Sequence, residues 1–295
     1  MSLRTGAPPR LVFLLCVLLP QTLPAEGPSR EIRDFWFNGA EINRYELTQA
    51  RYGREHPGHA ELIFVTEPFL ADRQVKHEFG SGPSVDVLKV NALRTFNTGI
   101  YSYRTMTSTF SPIDLERFPH ALKSTNSVQD WCGQTFQQVN RTDDGWSAQL
   151  RSYFQRDGDQ DLELPDAWFE DELWTLLRLD PERLPTGELR MIPGALYTRF
   201  AHRPIAPAAA IARLETHDAL YVYRVDYPEL GRRLEIRFDR EFPHILREWE
   251  ERDSESDAVT RAVLKKRVMQ SIYWEENRPQ DRRKRKALGL EPIPN

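Results

Sequence analysis

From Tyr45 onward the chain alternates apolar and polar residues in short runs separated by turn residues, the period-two pattern of strands that bury one face. Tyr45 to Tyr52 and Ala60 to Val65 flank the turn-rich stretch Gly53 to Gly58 and predict a hairpin. Further strands are predicted over Val85 to Leu93, Gly99 to Phe110, Ala121 to Trp131, Gly133 to Asn140 and Trp146 to Gln155. The last two are joined by Arg141-Thr142-Asp143-Asp144-Gly145, where Asp-Gly tolerates the positive φ of a tight hairpin turn.

The period changes at Pro165 to Leu179. Trp168, Phe169, Leu173, Trp174, Leu176 and Leu177 fall on one helical face, and the acids Asp166 and Glu170 to Glu172 lie toward the N-terminus, where the helix dipole favours them. Strands resume over Leu189 to Ile192, Leu196 to Phe200, Ile205 to Leu214, Leu220 to Tyr227, Arg232 to Phe238 and Ile245 to Glu251. Val259 to Trp274 fits a helix stripe or one strand face and is taken as a strand, and Asp281 to Leu288 is a short helix stopped by Gly289. The pattern predicts a mainly β protein of about a dozen strands, a large curved antiparallel sheet or open half-barrel around one central amphipathic helix. No composition shift marks a linker, so residues 26–290 are expected to form one domain, followed by a tail at 291–295.

The first 25 residues differ from the rest. Arg4 and Arg10 precede the nine apolar residues Leu11 to Leu19, and Leu23-Pro24-Ala25 supplies a small-residue cleavage site, the order of a secretory signal. Nine residues are too few to span a bilayer, which needs about 20. The expectation is therefore an exported protein, periplasmic or associated with the outer envelope. Cleavage after Ala25 would leave Cys132 as the sole thiol, and a buried small hydrophobe is the expected role of such a cysteine. The net charge of −4 conceals a basic segment, Arg261 to Lys286, with ten Lys/Arg against Glu275, Glu276 and Asp281. That segment either pairs with the acidic stretch Glu248 to Asp257 or makes peripheral contact with an anionic membrane. Nucleic acid is a poor partner for a chain of this charge and destination.

Candidate chemistry is sparse. The strand pair Gly99 to Phe110 and Ala121 to Trp131 is rich in hydroxyls and amides, with aromatics among them. On the first strand Tyr101, Tyr103, Thr105, Thr107 and Thr109 share one face. Tyr101, Tyr103, Thr105, Thr107, Asn126 and Trp131, with Trp168 and Trp174 of the helix, are the candidate ligand-binding residues, since aromatics beside hydroxyls line grooves for sugars or lipid head groups. The alternative for the strand residues is an ordinary solvent face with cross-strand pairs. His56 and His59 lack further ligands at metal spacing, Asp130 and Cys132 are not placed as a catalytic dyad, and no cofactor fingerprint occurs, so no cofactor, metal or catalytic residue is assigned.

The strings Phe96 to Phe110, His120 to Asn140, Asp171 to Gly187, Tyr227 to Leu230 and Ser271 to Trp274 resemble an uncharacterised family of exported bacterial proteins, over about Asp34 to Leu290. Some members carry the label "septum formation inhibitor", which points to cytosolic nucleotide pyrophosphatases. The Ser-Pro-Arg-Arg type phosphate element of those enzymes is missing here. Long antiparallel strands plus a helix also resemble the half-barrels of periplasmic lipoprotein carriers, which hold an acyl chain against a concave sheet. The expected function is an exported, non-catalytic protein that binds an apolar or amphipathic ligand. The alternatives are an envelope interaction protein using Arg261 to Lys286, and a wall or lipid hydrolase using Asp130, Cys132 or the helix acids.

Overall fold

The computed structural model describes residues 30–290. The expected signal at 1–25 and tail at 291–295 lie outside them. A short helix α1 (Arg30–Trp36) is followed by β1 (Ala40–Arg51), β2 (Arg54–Leu70), β3 (Val75–Lys76), β4 (Val85–Thr98) and β5 (Tyr101–Pro112). Next come β6 (Lys123–Asp130), β7 (Gly133–Thr142), β8 (Gly145–Ser152), β9 (Gln160–Pro165) and β10 (Trp168–Phe169). A 3-10 turn (Glu170–Glu172) runs into α2 (Leu173–Leu179), and β11 (Gly187–Ile192) leads to α3 (Ala195–Ala201). The chain closes with β12 (Ala208–His217), β13 (Leu220–Tyr227), β14 (Arg232–Asp239), β15 (Leu246–Asp253), β16 (Ser256–Ser271) and α4 (Arg282–Ala287).

All sixteen strands belong to one sheet, in the order β10-β11-β12-β13-β14-β15-β16-β1-β2-β4-β5-β6-β7-β8-β9, with β3 paired to β2. Every pairing is antiparallel except β10 with β11. The two edge strands β9 and β10 are consecutive in the chain but not hydrogen-bonded to each other, so the sheet curls almost into a barrel and stays open. This is the curved open sheet expected from the sequence.

The concave side is filled. Leu173, Leu176, Leu177 and Leu179 of α2 pack with Tyr45, Leu62, Val90, Tyr223, Leu234 and Trp249 from both halves of the sheet. A second apolar cluster holds Trp146, Ala148 and Phe169 near the seam, and a third joins Phe96, Tyr103 and Val128 to Leu196 and Phe200 of α3. Arg178 of α2 is fully buried and makes a bidentate ion pair with Glu41 of β1, at 2.8 and 2.7 Å. Its Nε donates to the Pro243 carbonyl at 2.8 Å, and the guanidinium lies 4.4 Å from the Phe64 ring centre. Burial alone would raise the Glu41 pKa, but Arg178 and its hydrogen bonds hold it below the usual carboxylate value.

Four expectations change. Leu196 to Phe200 is a helix, because an apolar run this short suits either period, and here Leu196 and Phe200, four apart, share the face toward Phe96 and Tyr103. Pro165 to Leu179 is not one helix: Pro165 ends β9, Trp168 and Phe169 form β10, and only Leu173–Leu179 is α-helical. Helices α1 and α3 join α2 where one central helix was expected, while α4 is the short helix expected over Asp281 to Leu288. Gly53 to Gly58 is not a loop, since the turn is confined to Tyr52-Gly53 and β2 runs through His56-Pro57-Gly58. β4 pairs with β2 only from Gly58 onward, so Pro57 has a strand neighbour on one side alone, where a missing N–H is tolerated. A Cβ on Gly58 would lie 2.4 Å from the Thr95 carbonyl oxygen, so the close approach of β4 requires glycine there.

Removing one member of a buried ion pair leaves the other charge uncompensated, and Arg178→Met is expected to destabilise the fold by about 3–5 kcal/mol. Adding Glu41→Leu to the same chain is expected to recover most of that loss. Urea midpoints at constant slope measure both, and a double variant no more stable than the single would refute the pairing argument.

Candidate functional site

The turns after β1, β4, β6, β8, β13 and β15 all lie at one end of the sheet, as the registers require. Helix α3 closes the interior at this end. Below it lie Glu170, Asp171 and Glu172, three consecutive acids that are all buried. Glu170 receives two bonds from Arg232 at the start of β14, one of them Nη2 to Oε1 at 2.7 Å, and a third from the Tyr227 hydroxyl at 2.7 Å. Asp171 accepts from Ser124 Oγ of β6 at 3.1 Å and from the Ala195 backbone N–H at 3.3 Å. Glu172 accepts the backbone N–H groups of Ala121 at 2.7 Å and Phe169 at 3.0 Å, and His120 Nδ1 lies 3.0 Å from it. The acids therefore bind both halves of the sheet and the start of α3.

Gly194 lets α3 approach, since a Cβ there would stand 2.6 Å from Glu170 Oε1. Burial, and then the adjacent Glu170 charge, push the Asp171 carboxyl up to about 7, against the hydrogen bonds from Ala195 and Ser124. Beside these acids is an internal cavity of about 40 Å³, bordered by Thr107, Thr109, Trp174, Tyr197, Arg94 and Glu251. It has room for ordered water and none for an acyl chain.

Above α3, at the mouth, is a cup of about 480 Å³. Arg51, Arg94, Arg156, Arg232 and Arg252 line it with Tyr52, Tyr197 and Phe200, against the acids Glu251, Asp253 and Glu255. Arg94 Nη2 donates to Glu251 at 2.6 Å and Arg232 reaches the same carboxylate at 4.0 Å, so this chain of charges forms the floor between cup and cavity. The two arginines hold the Glu251 carboxyl below its usual value although burial alone would raise it. Arg51 lies 4.5 Å from the Phe200 ring centre and 4.4 Å from that of Tyr52.

The residues singled out in the sequence are dispersed. Tyr103 is buried, stacked on Phe96 at 4.9 Å, and its hydroxyl is 2.7 Å from that of Tyr52 on the cup wall; Tyr101 packs beside it. Thr105 is buried, Thr107 borders the internal cavity, and Asn126 Nδ2 donates to Thr107 Oγ1 at 2.8 Å. The β5 face carrying Tyr103, Thr105, Thr107 and Thr109 is thus the concave one. Trp174 borders the cavity and meets Trp249 edge-on at 5.4 Å, whereas Trp168 is tucked against His120 at 4.5 Å. Trp131 stands exposed on the β6–β7 turn, apart from the other seven.

Cys132 is exposed on that same turn rather than buried, because the two-residue connection leaves its side chain no interior to enter. Asp130 caps the turn by accepting the backbone N–H groups of Cys132 and Gly133. The mouth arginines Arg51, Arg94 and Arg232 escaped the sequence reading. Their one signal was the run of three acids among large apolar residues, Trp168 to Trp174, which cannot be buried without cationic partners. In the basic segment, Arg261 pairs with Glu248 at 2.9 Å, Lys265 with Glu46 and Lys284 with Glu276, so most of it does not pair with the acidic stretch at 248–257.

No protein-family model matches the chain, and no curated protein matches it. A solved structure of a beta-barrel-like protein of a domain of unknown function from Brucella abortus aligns at 12% sequence identity and a TM-score of 0.49, over 80% of this chain and 99% of that one.

An aspartate in an unfolded chain ionises near 3.9, so between about pH 4 and the raised value of Asp171 the native state keeps a proton that the unfolded state has released. Asp171 therefore makes stability fall as pH rises through that window. Asp171→Asn keeps a neutral polar group and is expected to remove this slope. The Tm of the variant relative to the parent should rise by several degrees between about pH 5 and about pH 8, and a pH-independent difference would contradict it.

Proposed function

We propose that the protein is a non-catalytic binding protein of the cell envelope whose ligand is amphipathic, with an acidic head group held in the arginine-lined cup at the mouth of the curled sheet. The observation that carries this reading is the cup itself, about 480 Å³ with five arginines and three aromatic rings on its wall. That volume is in the range of small-molecule sites, and arginine is the side chain best matched to a carboxylate or phosphate. The filled interior supports placing the apolar part of the ligand along Tyr52, Tyr197 and Phe200 at the mouth rather than against α2. The envelope location rests on the signal pattern of residues 1–25.

The buried acids support binding over hydrolysis. Glu170 and Glu172 each use both oxygens on protein donors, and Asp171 borders a space sized for water. Asp130 is engaged with its own turn.

Dodecyl phosphate is the probe of choice, with dodecanol as the uncharged control. Dodecyl phosphate is expected to bind and dodecanol to bind at least about tenfold more weakly, a difference of about 1.4 kcal/mol. Arg156→Glu and Arg252→Glu change exposed cup residues and are expected to weaken dodecyl phosphate binding by a similar factor with Tm unchanged. Isothermal titration reads all three, and equal affinity for both probes, or affinity indifferent to the two substitutions, would overturn the assignment.

A further inference from the structure

Four of the turns at the mouth end each carry one large apolar side chain in solvent. They are Tyr52 on the β1–β2 turn, 60% exposed, Ile100 on the β4–β5 turn, 85%, Trp131 on the β6–β7 turn, 71%, and Tyr153 just after β8, 77%. These hairpins are successive in the sheet, so the four side chains follow one arc of the rim, beginning at Tyr52 on the cup wall. The turns of the opposite arc, Pro228 to Gly231 and Ser254-Glu255, carry no exposed large apolar side chain. Within the apolar arc the tips brace one another. The Tyr52 hydroxyl meets that of Tyr103 on β5, and the Tyr153 ring packs on Gly133, where a Cβ would come within 2.8 Å.

The charges of this arc are sorted as well. Its acids are engaged within the protein: Asp130 caps the Trp131 turn, Asp157 pairs with Arg199 at 3.3 Å, Asp159 accepts the Ser152 backbone N–H, and Glu55 accepts that of Val259. Its cations Arg54, Arg104 and Arg156 are exposed and make no ion pair among the described residues. The arc thus offers apolar anchors with exposed cations between them that no carboxylate pairs.

We propose that this arc is a docking surface for an anionic phospholipid bilayer, with Ile100, Trp131 and Tyr153 seated at the head-group level and Arg54 and Arg104 against lipid phosphates. Tryptophan and tyrosine favour that interface because one end of each ring system is apolar and the other polar. A protein partner would need a continuous face packed to interior density. Here the anchors stand on separate turns, an arrangement that a fluid surface accommodates. Each cation near an anionic surface adds about 1 kcal/mol of attraction. No helix among the described residues is long and apolar enough to cross a membrane, and this contact is peripheral, made by turns. It needs no occupied cup, but it would place the mouth of the cup at the lipid surface.

Co-sedimentation with vesicles of phosphatidylcholine, with and without phosphatidylglycerol, tests the proposal. The full chain is expected to bind the phosphatidylglycerol vesicles at least about tenfold more strongly. The triple variant Ile100→Asn, Trp131→Ser, Tyr153→Ser is expected to lose that binding about tenfold with Tm unchanged, since none of the three is buried. Arg54→Glu with Arg104→Glu should abolish the preference for phosphatidylglycerol. Retained dodecyl phosphate binding by the triple variant would separate this surface from the cup. The proposal is overturned if the parent binds neither vesicle, if the triple variant binds as the parent does, or if Arg282→Glu, Arg283→Glu and Lys286→Glu on α4 alone remove the binding. It is equally overturned if the tips prove to join two copies of the chain, seen as a dimer that the triple variant dissociates.

Discussion

An open sheet of sixteen strands has no strand pairing across its seam, and what fixes its curl is the burial of three consecutive carboxylates that must all find partners. A carboxylate removed from water costs several kcal/mol unless donors surround it. Glu170 takes its donors from Arg232 and Tyr227 in one half of the sheet, while Asp171 and Glu172 take theirs from Ser124, His120 and Ala121 at the start of β6 in the other. The two halves cannot separate without stranding these charges. Arg178 and Glu41 apply the same constraint deeper in, tying α2 to β1 between the halves. The apolar clusters supply most of the burial, but they are non-directional, and the charged bonds set one distance between facing walls.

That constraint also shapes the mouth. Asp171 receives the first backbone N–H of α3, and Gly194 allows the contact, so the helix that closes the interior is placed by the acids beneath it. Arg232 and Arg94, recruited to neutralise Glu170 and Glu251, face the cavity on one side and the cup on the other. A structural need for cations therefore leaves positive side chains lining an open concavity, to which Arg51, Arg156 and Arg252 add charge that buried acids do not require. Glu251 is the exception, an acid held ionised in the floor by the two arginines that would otherwise meet a ligand.

Much of the architecture was legible in the amino acids, because a strand with one buried face writes its period directly into the chain. β4, β5, β7, β13 and β14 were found within a few residues of their ends, and the curved open sheet followed from their number and spacing. Short apolar runs were not legible: Leu196 to Phe200 suits either period, and only the pocket made by Phe96 and Tyr103 selects a helix. Nor could Pro57 and Gly58 reveal that β2 continues, since the reason lies in the edge of β4. Alternation grouped Tyr101 to Thr109 on one face of β5, but that this face is the concave one, and that Thr107 and Thr109 meet water-sized space, depends on where α2 and α3 lie. The arginines of the mouth come from β1, β4, the β8–β9 connection, β14 and β15, separated by up to two hundred residues, and no local pattern unites them.

The chain's 32 aromatic residues are enough to fill a core or to line a groove, and the structure divides those it describes by position. Tyr45, Trp36, Trp146, Trp249 and Phe64 are in the core, where close-packed rings leave no volume for a ligand. Tyr52, Tyr197 and Phe200 are at the mouth beside arginines, and Ile100, Trp131 and Tyr153 extend that apolar surface onto the rim. Exposed apolar area raises free energy in water, and Tyr52, Ile100, Trp131 and Tyr153 stand uncovered on successive turns of one arc, whereas Phe37, Phe79 and Trp274 are exposed at the other end of the sheet. The same end carries the concavity of about 480 Å³, with Arg51 and Arg156 on its wall making no ion pair among the described residues. Chemistry that recognises an acidic head, surface that accepts an apolar body and an opening large enough for both therefore coincide at the mouth, whereas the interior offers about 40 Å³.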